Sequence, residues 1–147
     1  MNEQDSVKWG VIALAAVGFV GIVLLAINYA SSGDLEGPTW TVESISIDGS
    51  ATAPASGTAM TAVFEDGTVS GTGGCNTYSG SYSVDGDAIT FGPLVSTLIA
   101  CEDPIGAQEQ AYFAALARAD GFDVDGGTLT LSEGDTALVS FTESSDG

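Results

Sequence analysis

The 147-residue chain has no histidine, and against twenty carboxylates it sets only Lys8 and Arg118. Without imidazole there is no His-based triad, no His proton shuttle and no His-ligated metal. Lys8 precedes the first apolar run, so the globular part has no lysine for Schiff-base or Ser–Lys chemistry. The net charge of −18 repels a phosphate backbone, which excludes nucleic acid as a partner. It also repels anionic headgroups. Self-repulsion of this size is relieved by salt, so the composition suits either a saline habitat or a merely soluble acidic exterior.

Cysteine is nearly as scarce. Cys75 and Cys101 are the two thiols. The usual four-ligand zinc set would need more cysteine or histidine, and no Cys-x-x-Cys pair supports thioredoxin-like chemistry. In an oxidising compartment the two are expected to pair, closing a loop worth roughly 3–4 kcal/mol on the chain-entropy model. Two buried free thiols are the alternative.

What the chain does have begins with WGVIALAAVGFVGIVLLAINYA over residues 9–30, which carries no charge. As a helix it would span about 33 Å, enough for a hydrocarbon core of roughly 30 Å. The run is longer than the apolar part of a signal peptide, and Asn28-Tyr29-Ala30 is a poor cleavage site. An uncleaved transmembrane signal anchor is therefore expected. Lys8 lies before it and no base lies in SSGDLEGP after it, which places the N-terminus in the cytoplasm and the C-terminal domain outside. The expected organisation is a flank over 1–8, the anchor over 9–30, a polar linker over 31–38, one domain over 39–143 and a tail over 144–147.

Turn signals punctuate the domain: Asp48-Gly49, Asp66-Gly67, Asp85-Gly86-Asp87, Asp125-Gly126-Gly127 and Gly134-Asp135. Asp-Gly suits a hairpin turn whose central residues need positive φ. Between these signals apolar residues alternate at Tyr82 and Val84, Ile89 and Phe91, Leu129 and Leu131, with Leu138 near Phe141. Trp40-Val42 and Ile45-Ile47 fall out of phase, which predicts a bulge. One segment is helical: Asp103 as N-cap, Pro104 in the first helical position, then a stripe of Ile105, Tyr112, Leu116 and Ala119 with Phe113 beside it, ending near Asp120-Gly121. The order strands, helix, strands gives an α+β domain in which one helix packs on a curved antiparallel sheet.

Gly73, Gly74 and Asn76 around Cys75 could form a backbone nest for an anion, or a strand with close backbone packing. Tyr78 and Tyr82 alternate with Gly80 and so share one face, as cleft lining or as core. Glu109 near the helix start is explained by the helix dipole. Asp66, Asp85, Asp87, Asp125 and Asp135 fall at turns, where Asp serves the backbone. Asp123-x-Asp125-Gly126 lacks the remaining ligands of a calcium loop.

VSGTGGCNTYSGSY at 69–82, ITFGPL at 89–94, STLIAC at 96–101 and EQAYFAAL at 109–116 occur in this order and spacing. Together they resemble the META domain family, also called HslJ-like, whose hallmark is a Gly-Cys-Asn core followed by Tyr-x-Gly-x-Tyr, a Thr-x-x-Ala-Cys segment and a helix opening with glutamate. The resemblance covers about 39–143. It implies a strongly curved, partly open barrel-like sheet closed by a helix, with Gly74, Asn76, Tyr78, Gly80, Tyr82, Thr97 and Glu109 as motif residues of structural role. It also implies envelope or stress-tolerance roles, with no established catalytic residues. The chain lacks the lipidation cysteine of lipoprotein members, which the anchor would replace, and has Ile99 where methionine is common. The expectation is a non-enzymatic module with no cofactor and no metal, held at the membrane by its N-terminal helix, whose partner is an unnamed protein, lipid or small molecule. The alternatives are a carboxylate-dependent hydrolase of envelope glycans and a docking subunit of a membrane complex.

Overall fold

The computed structural model describes residues 35–144. The anchor expected over 9–30 lies outside them, and no helix among the described residues is long and apolar enough to cross a membrane.

Among the described residues, nine antiparallel strands and one full helix make up the domain. The strands are β1 (Thr39–Ile47), β2 (Ser50–Thr52), β3 (Thr61–Glu65), β4 (Thr68–Thr72), β5 (Thr77–Asp85), β6 (Ala88–Ser96), β7 (Gly121–Asp125), β8 (Thr128–Glu133) and β9 (Thr136–Ser144). Helix α1 (Ile105–Arg118) joins β6 to β7. Each expected turn is a hairpin connection. At two of them Asp and Gly both take the left-handed conformation, with φ of 52° and 83° at Asp48-Gly49 and 51° and 80° at Asp66-Gly67. Such a turn matches the right-handed twist of its strands.

The sheet runs β2-β1-β3-β4-β5-β6-β7-β8-β9 and closes on itself because β1 also pairs with β9, from Thr39 opposite Ser144 to Ile45 opposite Val139. Ser144, placed in the tail by the sequence, thus ends β9. The register of this pair shifts between Val42 and Ser44, so Glu43 is the extra residue that restores Ile45 to the core side. The ring is thin at one seam. β6 pairs with β7 only at Ala88 and Gly121, flanked by the Ile89 N–H to the Asp120 oxygen (3.2 Å) and the Phe122 N–H to the Asp87 oxygen (2.9 Å). Helix α1 packs against β6, β1 and β9.

Trp40, Phe64, Tyr112 and Phe141 fill the interior and are fully buried. Burying one such side chain contributes about 2–3 kcal/mol. Two parts of the sequence reading are corrected here. The described end of the expected linker belongs to the domain: Leu35 is buried, its carbonyl accepts the Trp40 indole N–H (2.9 Å), and Glu36 accepts hydrogen bonds from the Asp66 N–H and the Tyr82 hydroxyl. The helix begins one residue later than expected, with Pro104 as N-cap. Asp103 still serves the helix start, since its carboxylate accepts the Ala107 N–H (3.0 Å).

Candidate functional site

At the end of the barrel away from Glu36, a turn over residues 73–76 joins β4 to β5. Gly73 donates its N–H to the Asn76 carbonyl (2.9 Å), and Gly74 sits at φ 109°, where a side chain would be strained. A methyl group on Gly73 would lie 2.8 Å from Glu109 Cγ and Oε2 and 2.9 Å from Phe113 Cζ. This close approach brings the helix onto the turn.

Glu109 is buried, and it is not explained by the helix dipole: it is the fifth helical residue, and the first turn holds no acid. Its Oε2 accepts the N–H groups of Cys75 (3.1 Å) and Asn76 (2.6 Å), and its Oε1 accepts from Asn76 Nδ2 (2.7 Å). Of the expected nest, the Cys75 and Asn76 N–H groups converge on the Glu109 carboxyl, whereas Gly73 donates to the Asn76 carbonyl and Gly74 to the Thr72 hydroxyl. The helix face that meets the barrel is accordingly Gln108, Glu109, Tyr112, Ala115 and Leu116, with Ile105 only half-buried. The sequence stripe missed the two polar members. Gln108 is satisfied by the Ala55 N–H (3.0 Å) on Oε1 and by Met60 Sδ (3.4 Å).

Asn76 reaches the other way as well. Its Oδ1 accepts the Ile99 N–H (2.7 Å) and the Thr97 hydroxyl (2.8 Å), and its Nδ2 also donates to the Ile99 carbonyl (3.1 Å). One side chain therefore pairs with the backbone of Ile99 on both sides. The Cys75–Cys101 disulfide, with Cα atoms 6.5 Å apart, ties the same two segments covalently. The pairing favoured from the sequence is thus present.

These contacts hold the strandless segment after β6 in place beside α1. Between them lies a cleft of about 450 Å³, with Asn76 and Glu109 in its lining, Thr97 to Cys101 along one wall, and Gly106, Ala107, Gln110 and Phe113 along the other. Its rim is apolar. Leu98 is 92% exposed and Ile99 63%, and Val95 next to them is 71% exposed. Glu102 and Asp103 follow, both exposed.

The remaining motif residues lie elsewhere. Tyr78 is buried under α1, where its phenol oxygen and that of Tyr112 share a hydrogen bond (2.7 Å) and both reach the Thr61 carbonyl (2.8 and 3.3 Å). Burial pushes both phenols above their usual range; the Tyr112 hydrogen bond partly offsets this at Tyr78, while Tyr78 adds to it at Tyr112. Gly80 leaves room for Leu94 across the β5–β6 pair. Tyr82 stacks edge-on against Phe64 near the Asp66-Gly67 turn, its phenol raised by burial and then by its hydrogen bond to Glu36. So Gly74, Cys75, Asn76, Thr97, Cys101 and Glu109 gather at one end, and Gly80 and Tyr82 do not join them. Among the described residues no three acidic or cysteine side chains cluster as metal ligands would.

A family model for the META domain matches residues 33–146. The chain belongs to the META domain family. The META domain here is similar to a solved NMR structure of a protein from Burkholderia xenovorans, with 29% identity, a TM-score of 0.67, and coverage of 79% of this chain and 88% of that one. It also resembles in fold a DUF4847 family protein from Bacteroides vulgatus, at 16% identity and a TM-score of 0.53, covering 74% of this chain and 93% of the other. No curated protein matches the chain.

Proposed function

We propose that this META domain protein is a single-pass membrane protein, N-terminus in the cytoplasm, whose extracytoplasmic domain binds a partner in the envelope and does not catalyse a reaction. The observation that carries the binding role is the rim of the cleft. Leu98 is almost wholly exposed beside Ile99, on a loop that Asn76 and the disulfide fasten to the turn before β5. A rigid, exposed apolar segment is an interaction surface, because binding to it costs little ordering. Glu109, the buried carboxylate of the cleft, has both oxygens engaged by the fold, which favours a structural over a catalytic role. The apolar run at 9–30, the single lysine before it and a disulfide suited to an oxidising compartment support the location. A role in envelope-stress tolerance is consistent with this reading.

A photo-crosslinking residue placed at Leu98 in growing cells tests the binding role, with the same residue at the exposed Ser81 as control. A defined adduct from position 98 alone is expected; no adduct, or equal adducts from both, overturns it. Thiol labelling of intact cells tests the location: Cys75 and Cys101 should react only after reduction, and free thiols in the native protein would mean either an inverted topology or an unbridged pair packed in the fold. Loss of the gene with no change in envelope-stress tolerance would remove the stress role alone.

A further inference from the structure

We propose that the cleft between residues 96–101 and α1 takes a basic, amphipathic segment of a partner protein. This rests on the binding role above and names its chemistry.

The apolar part of the argument is the crowding of Val95, Leu98 and Ile99, the large apolar side chains exposed among the described residues, into five positions. Leu98 and Ile99 line the cleft, whereas Val95 stands outside its lining. A peptide segment can run from the cleft onto Val95 as well, which a small molecule confined to about 450 Å³ does not. Gly106 lets the start of the helix pack directly on the backbone of this segment, since a methyl group there would meet the Cys101 carbonyl.

The charge part concerns what borders this surface. Glu102 and Asp103 stand exposed at one end, Asp103 within the cleft lining itself. Arg118, the cation of the described domain, is at the last turn of the helix and is engaged by Glu133 (2.6 Å). Nothing beside the cleft offers positive charge to an acidic partner, so complementarity asks for Lys or Arg flanking the apolar residues. The fold argues against the protein's own bilayer as occupant. Glu36, through which the chain leads back to residue 30, is fastened to Asp66 and Tyr82 at the other end of the barrel. The described chain therefore enters the domain at the end opposite the cleft.

The test uses the full chain in nanodiscs of zwitterionic lipid and short labelled peptides of Leu with Lys, Leu with Ser and Leu with Glu. Binding is read by fluorescence anisotropy and located by hydrogen exchange. The Leu–Lys peptide is expected to bind best, to protect residues 96–113, and to weaken as salt rises. Leu98→Ser with Ile99→Ser should weaken it about tenfold or more, and Glu102→Gln should weaken it by a smaller factor at low salt. Equal affinity for the three peptides overturns the basic-partner assignment, while an adduct from position 98 would still leave the binding role standing. Protection spread over the acidic surface, with no loss in the double variant, overturns the assignment as general adsorption. Binding of the protein to added vesicles in place of peptide, abolished by the double variant, overturns it in favour of lipid.

Discussion

Glu109 and Asn76 hold each other through two hydrogen bonds, one from the Asn76 backbone to Oε2 (2.6 Å) and one from its side-chain amide to Oε1 (2.7 Å). Because Asn76 also grips Ile99, this pair links the helix to the exposed loop across the turn. Glu109→Ala strands three donors and is expected to destabilise the domain by about 3 kcal/mol in urea unfolding. Glu109→Gln should cost less, since one oxygen remains for the backbone donors, but its amide would face that of Asn76. Glu102→Ala, on the surface, should stay within about 0.5 kcal/mol.

Reducing the Cys75–Cys101 disulfide should lower stability by about 3–4 kcal/mol for a bridge of sequence separation 26. The Ile99 amide should keep its hydrogen-exchange protection in the reduced protein, because Asn76 Oδ1 still accepts it. Protection lost at Ile99 together with the bridge would show that the disulfide alone holds the loop.

Tyr78 and Tyr112 make stability depend on alkaline pH. Their folded pKa values lie above those of the unfolded chain, so between the two the folded state keeps protons that the unfolded state has lost. Stability is then fully present below about pH 10 and falls as pH rises beyond it. Phenolate absorbance from these two tyrosines should appear together with loss of circular dichroism. Ionisation before unfolding would contradict their burial.

A methyl group at Gly71 would overlap the backbone carbonyl of Thr61, and no rotamer change can relieve that. Gly71→Ala is expected to destabilise by more than about 3 kcal/mol through strained strand geometry. Gly73→Ala meets side-chain atoms of Glu109 and Phe113 instead. It should cost less in stability but release the loop, seen as faster exchange at Ile99.

A chain of net charge −18 repels itself. The midpoint of thermal unfolding should rise by several degrees between low salt and about 1 M NaCl, where the Debye length falls to about 3 Å. An unchanged midpoint would mean that the carboxylates are already too far apart to interact.

Much of this fold was legible because its signals are local. Asp48-Gly49 and Asp66-Gly67 mark hairpins because few residues tolerate positive φ, and that preference belongs to the dipeptide itself. The phase change between Val42 and Ile45 exposed the bulge for the same reason, since alternation is a property of one strand. The order of motif blocks placed the chain in its family. The closure of β1 on β9 left no such mark, because it joins residues about a hundred positions apart.

The same division holds for the site. Sequence by itself determined the exclusion of histidine and lysine chemistry, the position of the turns, the existence of the helix and the scarcity of thiols that favoured a disulfide. Only the tertiary structure decided what Glu109 does. On a helical wheel it is an acid beside an apolar stripe, and acids there face water by default. In the folded domain two backbone N–H groups and an amide converge on it from a turn more than thirty residues away. A carboxylate is stable in the interior when donors surround it, and donors supplied by distant backbone have no signature in the residues that carry them.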